Sequence, residues 1–290
     1  MRSDSTPLVP ICGLLVAMLS ISTGAALAKG LFPVFGPLGT AAVRFVIAAL
    51  VMVMVLRGWR ARITRENWPS LVLYGTMLCG LNVCFYMALT RLPLGIASAI
   101  EFTGPLAVSV IYSSSRKDYL WAALAMVGLL LLMPLGESPH ALDPIGILWA
   151  LASAICWGLY IIFGQRAGAQ HGTQTAALGM VIAALIAFPI GAAEAGEALF
   201  RFDLLPLVIL VALMTSAIPM SFEMFSLQRL PTRTFGVLLS IEPVIGAVVG
   251  FVVLHEALTV LQACAIALVV IACAGASRSA RSKPIVPPQA

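Results

Sequence analysis

Four ionisable side chains lie inside apolar stretches of this chain: Arg44, Glu101, Glu223 and Glu242. A charged group within hydrocarbon is costly, and it is kept where it pairs with another charge, binds a ligand or relays protons. Glu101 and Glu242 stand beside prolines, Pro105 and Pro243. A proline inside a helix removes one hydrogen bond and leaves a carbonyl free about one turn earlier. Such a carbonyl is tolerated at membrane depth where it faces protein or a water-filled cavity. Acid and helix break together describe a cavity wall that could hold an ammonium group or carry a proton.

The two sites belong to a repeat. Arg91–Pro105, RLPLGIASAIEFTGP, recurs in altered form as Arg229–Pro243, RLPTRTFGVLLSIEP, with the Arg-Leu-Pro triplets and the terminal prolines in register. The prolines repeat and the acids do not: Glu101 corresponds to Leu239 and Glu242 to Gly104. The two acids are thus distinct candidates, not a symmetric dyad.

At 1.5 Å per residue, Glu101 lies about 12 Å and Arg44 about 10 Å below the outer ends of their spans. They could pair, in which case the pair is a structural tie between two helices. Glu242 lies about 15 Å from the inner end of its span, near the midplane, and Glu223 about 6 to 8 Å from the inner end of its own. Asn82 and Tyr86, with Tyr160 and Thr103, are further candidates for lining the cavity. Trp59, Trp68 and Trp121 read as interfacial anchors. Gly80, Gly128, Gly246 and Gly250 read as close-packing positions, and His255-Glu256 as a solvated outer turn.

The elements that position these residues follow from composition. The 290 residues are 61% hydrophobic and 10% charged, far more apolar than a water-soluble domain. Apolar runs long enough to cross roughly 30 Å of hydrocarbon as helices follow one another, at about 8–28, 38–56, 69–89, 94–113, 119–135, 145–165, 175–193, 204–226, 233–254 and 259–277. A membrane β-barrel would show shorter, alternating segments instead. The fold class is therefore all-α membrane protein with ten transmembrane helices. Arg2 and the run ending Ala25-Ala26-Leu27-Ala28 imitate a signal peptide, but the run is long for that role and reads as an uncleaved first helix.

The net charge of +5 is explained by position rather than by nucleic acid. With a cytoplasmic N-terminus, thirteen Lys and Arg residues fall inside and three, Lys29, Arg91 and Arg201, fall outside. The positive-inside rule then places both termini in the cytoplasm. The six cysteines lie within expected helices without ligand spacing, and the three histidines lie at helix ends or loops; neither set suggests a metal. No nucleophile elbow or zinc-protease motif points to an intramembrane enzyme.

A second internal match pairs Thr40–Leu50, TAAVRFVIAAL, with Thr175–Leu185, TAALGMVIAAL. Spans one to five thus correspond to six to ten, giving repeats at 8–135 and 145–277 and a cytoplasmic tail at 278–290. Five crossings is an odd number, so the second copy starts on the opposite face and the halves are inverted. Inverted repeats are a transporter architecture with the substrate site near the midplane.

Two five-helix halves, with Ile241-Glu242-Pro243 leading to His255-Glu256-Ala257-Leu258 and a glycine-containing last helix, resemble the drug/metabolite transporter superfamily of EamA type. Glu101–Val108 (EFTGPLAV), Gly164–Gly172 (GQRAGAQHG), Phe188–Phe200 (FPIGAAEAGEALF) and Arg229–Pro243 are similar to its bacterial inner-membrane exporters of threonine and homoserine. This resemblance implies efflux of small amino acids, driven by the proton gradient, with no cofactor. A zwitterionic cargo needs a carboxylate for its ammonium group, which Glu101 or Glu242 could supply. Its own carboxylate needs Arg44 or backbone N–H groups at a broken helix. Other cargo within transport would be aromatic amino acids or drug-like compounds. Outside transport, the alternatives are an intramembrane enzyme or an accessory or flippase-like subunit.

Overall fold

In lipid every backbone polar group must be satisfied internally, so continuous apolar sequence becomes helix. The computed structural model describes residues 8–60, 68–111, 116–132, 142–171, 174–227 and 238–279, and among these it contains helices and no strand. In chain order they are α1 (Leu8–Leu56), α2 (Trp68–Leu89), α3 (Leu94–Glu101), α4 (Thr103–Ile111), α5 (Arg116–Leu132), α6 (Pro144–His171), α7 (Gln174–Ala195), α8 (Leu205–Ala212), α9 (Ile218–Leu227), α10 (Glu242–Leu254) and α11 (Val260–Ser279). Four helical stretches, Leu8–Leu56, Trp68–Leu89, Pro144–Gly168 and Gln174–Phe200, are long and apolar enough to cross a membrane by themselves. Arg2, the Arg-Leu-Pro copy at 229–231, Arg233, the interval 136–141 and the tail from 280 lie outside the described residues.

Four expected spans differ in detail. Helix α1 holds two of them, because the apolar run continues past Ala28 through Leu31 to Phe35 and breaks only at Gly36, at φ 70 and ψ 168. Only glycine adopts that conformation without cost. A Cβ there would overlap the Glu194 carboxylate, which accepts hydrogen bonds from the Leu38 and Gly39 amides at 2.7 and 3.0 Å and so caps the second half of α1. Lys29, expected in a loop, consequently lies within the helix. The span expected at 94–113 is split at Phe102 into α3 and α4, and a corresponding turn at Ser240-Ile241 precedes α10. The span expected at 204–226 contains a π-helical segment, Leu213–Ala217, between α8 and α9.

Packing runs mostly between the two halves of the sequence. The second half of α1 packs on α7, α2 on α6, the first half of α1 on α8 and α9, α3 on α10, and α5 on α11. Small residues allow the approach: a Cβ on Gly104 would overlap the Ala154 carbonyl, and one on Gly95 would overlap Ala247. Gly80 lies against Cys156, Gly128 against Ala265 and Gly246 against Ser98. Trp59 and Trp68 are exposed, whereas Trp121 packs over Gly275 and helps join α5 to α11.

One hydrogen bond is made twice. Ser20 Oγ donates to the Met214 carbonyl at 2.8 Å, and Ser153 Oγ donates to the Leu81 carbonyl at 2.7 Å. Ser153 and Leu81 relate to Ser20 and Met214 at one constant sequence offset. Asn82 Nδ2 to the Leu78 carbonyl and Thr215 Oγ1 to the Val211 carbonyl form a second such pair at the same offset.

Candidate functional site

Arg44 projects from the second half of α1 into the joint between α2 and the π-helical segment. Its Nη2 donates to Asn82 Oδ1 at 2.7 Å and its Nη1 to Thr215 Oγ1 at 3.0 Å. Asn82 and Thr215 are counterparts in the repeat, so one guanidinium bridges equivalent positions of the two halves. A π turn adds a residue to a helix and re-aims the side chains beside it, and Thr215 lies within it. The guanidinium carbon lies 4.6 Å from the Phe45 ring centroid and 5.3 Å from that of Tyr86. Arg44 and Tyr86 are each only 2% exposed.

No Arg44–Glu101 ion pair occurs among the described residues. Glu101, the last residue of α3, contacts Ser153 Oγ on α6 at 2.5 Å. Ser153 Oγ also lies 2.7 Å from the Leu81 carbonyl. A hydroxyl has a single hydrogen, and the carbonyl can only accept it. The network is complete when Glu101 carries a proton and donates it to Ser153 Oγ. The counterpart Ser20 bond, with a carbonyl as its partner, fits that direction.

Glu242 opens α10, with Pro243 in the first turn of the helix. An acid at that end meets the positive pole of the helix dipole, and Glu101 likewise stands just before the start of α4 at Thr103. Both Glu101 and Glu223 lie within electrostatic reach of Glu242, and Glu223, on α9, lies within reach of Tyr160. Tyr160 stacks on Tyr74 at 4.8 Å, with their hydroxyls 3.2 Å apart. Pro105 falls in the first turn of α4, after the Thr103 hydroxyl has donated to the Ile100 carbonyl at 2.6 Å.

Sequence reasoning missed Ser153 and Thr215, whose only signal is their place in the repeat. It also missed the contact between Cys84 on α2 and Cys156 on α6. The reading of Glu256 as solvated is corrected. Its carboxylate accepts from Lys29 Nζ at 2.5 Å and from the Leu94 amide at 2.7 Å, and the side chain is only 14% exposed. It is part-buried because α10 ends at His255 in a left-handed cap, φ 55, which turns the next residue back over Gly250 and toward the Leu94 amide at the start of α3. Nearby, Asp143 accepts from Arg91 Nη1 at 2.5 Å and from the Ile145 amide at 2.8 Å, capping α6. These two bonds, the arginine's first, hold the Asp143 carboxyl below its ordinary range.

No group of three metal-ligating side chains occurs among the described residues. The sequence profile of the EamA-like transporter family matches residues 8–133 and again 144–278. The chain is 45% identical over 276 residues to the threonine/homoserine exporter RhtA of Salmonella typhimurium, covering 95% of this chain and 94% of the relative. It is 46% identical over 275 residues to RhtA of Escherichia coli K12, covering 95% and 93%. An uncharacterised transporter of Bacillus subtilis, YvbV, is 30% identical over 177 residues, 54% of each chain. One crystal structure aligns over 93% of this chain and 97% of its own at a TM-score of 0.56 and 20% identity, a likeness of fold.

Proposed function

The chain belongs to the EamA-like transporter family, and on that basis we propose that it is a multi-pass protein of the bacterial inner membrane that exports threonine, homoserine and related small amino acids. The observation that carries this reading is the similarity to the RhtA exporters, which spans 95% of the chain. The site chemistry agrees with it. Three acids and one arginine in a bundle of apolar helices offer both charges of a zwitterion a partner, where a bare cation would have no use for Arg44. The relatives are transporters and not enzymes.

The export cycle is alternating access by two inverted five-helix repeats, 8–135 and 145–277, with both termini and the tail at 278–290 in the cytoplasm. The twofold match of the family profile and the twice-made serine bond support the repeat. Glu242, Glu101, Glu223, Arg44, Asn82 and Tyr86 line the substrate path, and Pro105 and Pro243 mark the breaks that open its wall. Protons are the coupling ion. Glu101, poised as a donor to Ser153, carries the proton, and Glu242 holds the substrate's ammonium group. Proton entry from outside then releases substrate outward.

Counterflow of labelled threonine in proteoliposomes, competed by unlabelled amino acids, tests the cargo. Threonine and homoserine are expected to compete. Competition by aromatic amino acids alone would reassign the exporter to that cargo.

A further inference from the structure

We propose that Arg44 and Tyr86 form the subsite that takes the carboxylate of the exported amino acid, an assignment that rests on the amino-acid export reading above. Buried guanidinium groups are stable when a counter-charge and hydrogen-bond acceptors surround them. Arg44 has the acceptors but, among the described residues, no ion-pair partner: its two terminal nitrogens are held by the neutral oxygens of Asn82 and Thr215. Those oxygens are fixed in turn, since Asn82 bonds back to the Leu78 carbonyl and Thr215 to the Val211 carbonyl. The guanidinium is oriented without its charge being matched.

The unpartnered atoms point to the same ligand. Arg44 Nε, Tyr86 Oη and Ser216 Oγ are the buried side-chain polar atoms without a hydrogen-bond partner among the described residues. All three can donate. Two belong to neighbours, since Arg44 lies over the Tyr86 ring, and Ser216 adjoins Thr215 in the π-helical segment. A carboxylate supplies both what is missing, one negative charge, and what is needed, two oxygens that accept from several donors. An arginine serving only as a tie between helices would pair with an acid of the bundle. Glu101 is instead engaged with Ser153, which leaves Glu242 for the ammonium end of the zwitterion.

The expected consequence is that transport requires a free carboxylate. In proteoliposomes holding the full-length protein, labelled-threonine counterflow is competed by threonine, threoninamide and threoninol. Threoninamide and threoninol keep the ammonium and hydroxyl groups and lack the carboxylate, and each should compete at least about tenfold less well, the loss of one charge-assisted hydrogen bond. Tyr86→Phe, which removes one oxygen atom, should raise KM for threonine severalfold with little change in maximal rate. Arg44→Lys should raise KM further and narrow the threonine-to-threoninamide ratio, a change that a packing defect alone would not produce. Equal competition by threonine and threoninamide in the wild type would overturn the carboxylate subsite while leaving amino-acid export standing. An unchanged KM in Tyr86→Phe would remove Tyr86 from it. No counterflow of any amino acid by the wild type would overturn the export reading and this subsite with it.

Discussion

A serine hydroxyl has one hydrogen, and at Ser153 two oxygens lie close enough to claim it. That shortage is relieved if Glu101 carries a proton, and the proton-carrying role proposed for Glu101, as distinct from Glu242, rests on it. Glu101→Gln keeps a donor toward Ser153 and cannot cycle a proton. It is expected to retain threonine counterflow, which needs no net proton movement, and to lose efflux driven by a pH gradient. Glu242→Gln is expected to lower both, because it weakens binding itself. Full gradient-driven efflux in both variants, measured in the same vesicles, would remove the acids from the mechanism. The acids were legible in the sequence because any carboxylate stands out in an apolar run. Ser153 and Thr215 were not, since hydroxyls in membrane helices routinely bond to their own backbone, and only their role as partners to Glu101 and Arg44 distinguishes them.

Helix existence was legible for the same reason: apolar runs leave the backbone no other way to satisfy itself. Helix ends and breaks depend on side chains that are distant in sequence. The α1 break at Gly36 is closed by Glu194 from α7, and nothing local to Gly36 announces that carboxylate. Gly36→Ala forces a side chain into a glycine-only conformation and against Glu194, and should cost about 1–3 kcal/mol. Thermal unfolding in detergent would register this, with Glu194→Gln, which keeps an acceptor, losing less. The Asp143 cap of α6 makes a pH prediction. Its carboxyl titrates below its unfolded value of about 3.9, so its contribution is present above that value and fades as pH falls through the lower folded value. The difference in melting temperature between wild type and Asp143→Asn should stay constant from neutral pH to about 5 and shrink only in stronger acid. A difference that vanished near neutral pH would mean the cap contributes nothing.

At the scale of the whole molecule, the sequence repeat and the charge bias of the loops are the grounds for the proposed arrangement in the membrane. A phosphatase fused after the tail should be inactive and a fluorescent protein at the same place bright, since only the cytoplasm folds the latter readily. A phosphatase inserted within 136–141, the interval between the halves, should be active. The opposite pattern would invert the topology. That the chain is helical and apolar enough for a membrane was legible from hydropathy, and that its two halves are related from two short matches. The lattice of contacts between them was not, because a repeat states which helices are equivalent and not which ones touch.

A bond made twice by equivalent residues has a bearing on energetics. If the halves exchange roles, the contacts that repeat are broken on one side and remade on the other, and they cancel. What is left to tilt the balance lies among the positions where the copies disagree, and these include the charged ones: Arg44 corresponds to Gly179, Glu101 to Leu239 and Glu242 to Gly104. Under that exchange the two end states would lie close in free energy, so a bound molecule with a modest preference for one of them would shift the population, and the mismatches would set which state each ligand prefers.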